Sequence, residues 1–379
     1  MITFLLVVLL LALASGYLVI EMPVFGAKPE GERLARVLQS PNQKEGIFQN
    51  QVETTVMALD ASIIGTIRDY FQRDKENEPK APLPSIKTGL MALPDTGTHI
   101  VWFGHSAYLI KVEGRNILVD PVFSGNASPV SFLAKAFPGT DVYKVADMPE
   151  IDFLILTHDH YDHLDYETIK ELHPKVKKIY TALGVGAHLE HWGVAPDKIT
   201  ELDWWQSAEA EGLKITAAPA RHFSGRKITR GQTLWAAFCL EVGGHKWFIG
   251  GDSGYWDHFK EIGRRLGPFD YALLECGQYG KDWPTIHMLP EEVVQAAKDL
   301  GAARVQPVHF GKFALAYHSW YEPIVRFSKA AKQAGLPYAA PKIGEAFQPF
   351  GELPTKPWWP NVNAQISDAH AEKIDENCD

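Results

Sequence analysis

The chain has 379 residues, 46% of them apolar and 22% charged, the make-up of a globular protein with one large domain or two modest ones. A net charge of −9 and a pI near 5.9 argue against nucleic acid as the main partner, because phosphate backbones call for clustered Lys and Arg. Cys239, Cys276 and Cys378 are widely spaced and odd in number, which excludes a disulfide framework or a thiolate zinc site.

Residues 2–20 are almost wholly apolar, about 19 residues and roughly 28 Å as a helix, long enough to cross a bilayer. Ala12-Leu13-Ala14 resembles a signal-peptide cleavage site, but no Lys or Arg precedes the run and Tyr17-Leu18-Val19-Ile20 continues it. The expectation is an uncleaved membrane anchor rather than a signal peptide, with the side of the membrane unreadable from charge. Residues 21–84, closed by Pro79, Pro82 and Pro84, read as a linker that wraps the catalytic body at 85–350.

From His99 the pattern is that of strands. Residues 99–103 and 107–112 flank Gly104-His105-Ser106, and 117–120 follows a turn, so the three predict an antiparallel meander. The apolar run 151–156 predicts a buried strand, and Asp165 is placed to cap a helix with Leu164, Ile169 and Leu172 on one face. Short strands are expected at 179–181 and 213–216. A hairpin is expected where Gly243-Gly244 separates 234–242 from 246–249. Trp256, Phe259, Ile262 and Leu266 have helical spacing up to Gly267-Pro268, and a second helix is expected from Pro290 to Gly301 between strands at 271–274 and 304–308. Two β-rich halves, each with helices, predict two sheets packed face to face with helices outside. Residues 351–379 hold a Pro/Trp segment and an acidic tail expected to be disordered. Trp204-Trp205, Trp283 and Trp358-Trp359 suit the core or a lipid-facing pocket.

Between the strand at 151–156 and its helix lies Thr157-His158-Asp159-His160-Tyr161-Asp162-His163. Three imidazoles and a carboxylate on one strand-to-helix loop are the ligand set of zinc and its first-row neighbours. His158 and His160 can converge on one ion, and Asp162 and His163 on a second. More ligands are needed, and His222, Asp252 and His309 each stand at the end of an apolar run.

In that order these residues resemble the metallo-β-lactamase superfamily. Gly104-His105-Ser106, Asp120-Pro121-Val122-Phe123-Ser124, Gly251-Asp252-Ser253-Gly254-Tyr255, Ile286-His287-Met288-Leu289-Pro290 and His309-Phe310-Gly311-Lys312 are similar to its N-acyl-phosphatidylethanolamine phospholipase D branch and bacterial relatives. The resemblance covers roughly residues 40–350 and implies an α+β fold, a four-layer αββα sandwich. It implies one zinc on His158, His160 and His222, a second on Asp162, His163 and His309, and Asp252 bridging, with manganese or iron as other occupants. It implies hydrolysis of a phospholipid at a membrane surface to phosphatidate and N-acylethanolamine, and a homodimer that no stripe in the chain establishes. The alternative is a lactonase or another phosphodiester hydrolase.

Two divalent ions about 3.5–4 Å apart lower the pKa of a shared water and clamp a phosphate oxygen, so that hydroxide attacks phosphorus in line. His287, just before the Pro290 helix, is the candidate to protonate the leaving group or bind phosphate, with the helix end expected to depress its pKa. His105 is either an orienting group behind the ligands or a buried polar residue. Asp120 is expected to support the metal loop without binding metal.

Overall fold

The computed structural model describes residue 4 and residues 20–58, 73–227 and 229–359. The N-terminal part carries helix α1 (Gly31–Gln39) and a small hairpin of β1 (Gln43–Lys44) and β2 (Ile47–Phe48). The meander follows as β3 (Thr98–Trp102), β4 (Tyr108–Val112) and β5 (Arg115–Val119), paired antiparallel in sequence. β6 (Ile151–Leu156) then joins β5 in parallel. Helix α2 (Tyr166–Leu172) leads to β7 (Val176–Ala182), and α3 (Gly186–His191) to β8 (Ile199–Leu202), each strand again parallel to the last.

A second sheet is built from β9 (Ser207–Ala210), β10 (Leu213–Ala218), β11 (Ala237–Val242) and β12 (His245–Ile249), all antiparallel. Val242 pairs with His245 across Gly243-Gly244, whose φ values of 60° and 72° are those of a tight type I′ turn that glycine enters without strain. Helix α4 (His258–Leu266), β13 (Tyr271–Glu275), α5 (Pro290–Asp299) and β14 (Val305–Val308) extend the sheet in parallel. After α6 (Glu322–Gln333) the chain returns, and β15 (Ala346–Phe347) pairs with β3 at the edge of the first sheet.

The orders are β15-β3-β4-β5-β6-β7-β8 and β14-β13-β12-β11-β10-β9. Every residue of β4 and β13 is buried, as strands covered on both faces require, and one continuous apolar core spans both sheets. This is the expected four-layer αββα sandwich. Its directions matter for function. β3, β5 and β6 point one way in the first sheet, and β10, β12, β13 and β14 share a direction in the second.

Several expectations need correction. No helix among the described residues is long and apolar enough to cross a membrane, which overturns the expected anchor; of residues 1–20, only Phe4 and Ile20 are described. The acidic tail from residue 360 and Cys378 also lie outside the described residues. Asp165 stands at the N-cap of α2 but caps no helix N–H. Its Oδ2 instead accepts from the Thr168 hydroxyl at 2.5 Å and Ser124 N–H at 3.0 Å. Trp256 precedes α4 and is 43% exposed, with the Arg221 guanidinium 5.4 Å over its ring, so it is no part of the helix's buried stripe. Helix α6 had no counterpart in the predicted elements. Trp204, Trp358 and Trp359 are core residues, and Cys239 and Cys276 are buried and unpaired.

Candidate metal centre

All the histidine and aspartate candidates lie beyond the C-terminal ends of those like-directed strands. His105 follows β3, Asp120 follows β5 and the loop 157–165 follows β6; His222, Asp252 and His309 follow β10, β12 and β14. Side chains far apart in sequence therefore reach one edge of the sandwich, where strands end and backbone is free to turn. His105, Asp120 and His309 take left-handed backbone angles there, with φ of 52°, 39° and 67°. Such conformations strain a residue with a Cβ and persist where surrounding contacts hold them.

Three groups of ligand atoms form among the described residues. One joins His158, His160, His222 and Asp252, a second joins His105, Asp162, His163 and His309, and a third brings His287 to Asp252 and His309; within each group the atoms lie within 4.8 Å of one another. Asp252 faces the first two. Its Oδ2 is 3.8 Å from His158 Nε2 and 3.6 Å from His222 Nε2, while Oδ1 is 3.2 Å from both His163 Nε2 and His309 Nδ1. All seven expected ligands are thus brought together. His105 joins them through Nε2, 2.8 Å from Asp162 Oδ2.

Hydrogen bonds behind the rings fix which nitrogens carry lone pairs. Asp120 accepts from Thr157 N–H at 2.9 Å, from the Thr157 hydroxyl at 2.7 Å and from His163 Nδ1–H at 2.8 Å. The Thr157 oxygen, its proton committed to Asp120, accepts from His158 Nδ1 at 3.0 Å. His222 Nδ1 donates to Ile286 O at 3.0 Å. The Nε2 atoms of His158, His163 and His222 are left as lone pairs aimed inward. His160 Nδ1 meets two of them, at 2.9 Å and 3.2 Å. One proton at most can serve that trio, and His163 Nε2 and Asp252 Oδ1 are buried with no hydrogen-bond partner at all. Converging lone pairs and carboxylates without protons between them fit a pair of divalent cations.

The electrostatics agree. Burial holds His158, His160, His222 and His309 below the ordinary imidazole range, hence neutral. Burial pushes Asp162 and Asp252 up, but the surrounding imidazoles, His163 foremost, outweigh it and hold both well below the usual carboxylate range. Burial lowers His163, and Asp252, Asp162 and Asp120 more than reverse this, a mark of a place that favours positive charge.

His287 behaves against expectation. Burial lowers its imidazole, but Glu275 foremost, a residue the sequence reading left unassigned, with Asp252 and Asp162 adding to it, outweighs burial, and the net shift is upward where the helix end was expected to depress it. Glu275 ends β13, is 1% exposed and places Oε1 3.6 Å from His287 Nδ1 and 2.7 Å from Met288 N. Burial pushes its carboxyl up to about 7. The signal for it was available: a lone acid ends an apolar run, as Asp252 nearly does. The metal groups open into a cleft of about 220 Å³ whose lining includes His287, Phe223, Trp283, Ile286, Leu315, Arg230, Val56 and Met57.

The site can be set beside known proteins. Residues 115–310, just over half of the chain, match the model of the beta-lactamase superfamily domain. An uncharacterized protein of Mycobacterium bovis is 39% identical over 326 residues, 85% of this chain and 88% of that one. N-acyl-phosphatidylethanolamine-hydrolyzing phospholipase D 1 of Caenorhabditis elegans is 31% identical over 241 residues, 60% of this chain and 67% of its own. The mitochondrial enzyme of that name from Saccharomyces cerevisiae is 32% identical over 246 residues, 62% of this chain and 52% of its own. Among solved structures, the metallo hydrolase Igni18 of Ignicoccus hospitalis aligns over 66% of this chain and 97% of its own, with a TM-score of 0.51 and 22% identity, a likeness of fold alone. With the family's domain spanning the loop at 157–165 and all seven expected ligands, the chain belongs to the metallo-β-lactamase superfamily, as a metal-dependent hydrolase.

Proposed function

We propose that the chain is a dinuclear zinc phosphodiesterase that hydrolyses N-acyl-phosphatidylethanolamine-like phospholipids to phosphatidate and an N-acylethanolamine. The observation that carries this reading is Asp252, whose two oxygens face two different groups of nitrogen and oxygen donors, as a carboxylate shared by two ions does. Support for the substrate class comes from the worm and yeast phospholipases D and from a cleft wall that combines apolar side chains with Arg230.

His158, His160 and His222 would hold one ion, Asp162, His163 and His309 the other, with Asp252 between them. Zinc bound there supplies an acidified water and draws charge from a phosphoryl oxygen. The chain's own part is positional. Asp120, Thr157 and Ile286 O orient the imidazoles, and His105 holds Asp162. His287, with Nδ1 turned to Glu275, keeps a proton and presents Nε2 to the leaving alkoxide. The apolar side of the cleft takes the substrate's hydrocarbon and keeps bulk water from the phosphorus.

The test combines metal analysis of purified protein with mass spectrometry of products from N-acyl-phosphatidylethanolamine and from a panel of lactones. Two zinc ions per chain and release of both lipid products are expected. Asp252→Ala should lower kcat/KM by more than about a hundredfold, beyond the usual cost of losing an outer partner. Zinc-loaded protein that opens lactones and leaves the lipid intact would reverse the substrate reading.

A further inference from the structure

The stretch from Phe48 to Ala58 precedes the family-matched residues 115–310, yet it is pinned along the rim of the cleft. Phe48 N–H donates to Gly231 O at 2.8 Å. The Arg221 guanidinium donates to Thr54 Oγ1 at 3.1 Å and to Glu53 O at 3.0 Å. Farther on, the Thr285 hydroxyl donates to Thr55 O at 2.9 Å, and Ala58 N–H to Asp282 O at 2.7 Å.

Asn50 makes the contact that bears on chemistry. Its Nδ2 donates to His222 O at 2.7 Å, and its Oδ1 accepts from His222 N–H at 3.1 Å. One side-chain amide thus pairs with both backbone groups of a metal-facing histidine, as a neighbouring strand would. β10 ends at Ala218, so no strand ladder holds that backbone. The amide fixes the peptide from which the imidazole projects, and Ile286 O fixes the ring's rotation, so together they set where Nε2 lies. Six residues on, Val56 and Met57 line the cleft beside His160, His222 and Asp252.

We propose that this stretch is a working part of the site. Asn50 is a positioning residue for His222, and Val56 with Met57 forms the wall that selects the apolar arm of the substrate. The second statement rests on the phosphodiesterase reading, and the first does not.

Metal-free wild type and Asn50→Ala are titrated with zinc by calorimetry, and their metal-free melting temperatures are recorded. Losing these two hydrogen bonds should lower the metal-free melting temperature by a few degrees, so affinity is measured well below the variant's melting onset, where both proteins are folded. There zinc affinity should fall on the order of tenfold, a change that a merely structural role would not cause. Equal affinity of the two folded proteins overturns the role of Asn50. Asn50→Asp, which keeps size and the acceptor but loses the donor, takes its place if Asn50→Ala does not fold. For the wall, zinc-loaded wild type and the double variant Val56→Ala/Met57→Ala are titrated with alkylphosphonates of increasing chain length. Wild-type affinity should climb with length, at most roughly fourfold per methylene, and the variant's dependence should be flatter. Equal slopes overturn the wall. A wild type that takes zinc but binds no alkylphosphonate overturns the phosphodiesterase reading and the wall with it, leaving the Asn50 result intact.

Discussion

Glu275 is a carboxyl group with almost no water, and what it does depends on one neighbour. Buried at the end of β13, it has the His287 ring and the Met288 N–H for company. Burial disfavours its charge, while the adjacent imidazole favours it, so the pair tends to keep one proton between them. Glu275→Gln removes the negative charge and keeps the shape. The largest upward push on His287 is then lost, with only Asp252 and Asp162 still raising it, so its pKa falls and less imidazolium remains at and above neutral pH. If His287 protonates the leaving group, the alkaline limb of the kcat profile should begin at lower pH. On that limb kcat should drop by up to about a hundredfold, with KM little changed. A pH–rate profile that overlays the wild type would remove His287 and Glu275 from proton transfer.

At the scale of elements, the metal loop owes its shape to a cation that is not a metal. Arg226 is buried, and its guanidinium donates to Asp159 O at 2.8 Å, Leu164 O at 2.7 Å and Val24 O at 2.7 Å, while it sits 4.1 Å over the Tyr161 ring and 5.1 Å from Trp192. It gathers both ends of the loop and the N-terminal segment around one planar fork. Arg226→Lys keeps the charge but cannot reach three carbonyls, so at least one is left buried without a partner. Urea unfolding should show a loss of about 2–4 kcal/mol, and a variant as stable as wild type would contradict this account. None of this could be read locally. The loop itself was legible, because β6 is apolar at every position but Asp152 and His158, His160, Asp162 and His163 crowd the residues that follow it. The Gly243-Gly244 turn was legible for the same local reason. Arg226 and Asn50 act on backbone carbonyls and amides more than 60 residues away, and nothing in their neighbours marks them. Helix α6 escaped because its buried face is Ile324, Phe327, Ser328 and Ala331, a stripe too small and too polar to stand out. Glu275 escaped because the predicted strand stopped one residue short of it.

Across the whole molecule, the two sheets contribute separate halves of the site. The first supplies His158, His160, Asp162 and His163 after β6, and the second supplies His222, Asp252 and His309 after β10, β12 and β14. An ion held by ligands from both ties the sheets together at one edge, while the apolar core holds them elsewhere. Without a cation, the buried carboxylates and inward lone pairs crowd one another, so the metal-free fold carries a cost that the bound form does not. Binding to the folded chain alone adds stability in proportion to the logarithm of free metal over Kd, about 2.7 kcal/mol at a hundredfold excess. An ion held by ligands from both sheets would make that gain appear as a higher melting temperature of one cooperative transition, rather than as the ordering of a single loop. Chelation should lower the calorimetric melting temperature by several degrees, and stoichiometric zinc should restore it. The restored increment should shrink as pH falls and protons compete for the imidazoles. Identical melting curves for zinc-stripped and zinc-loaded protein would mean that the ions, where bound, do not bridge the two halves of the sandwich.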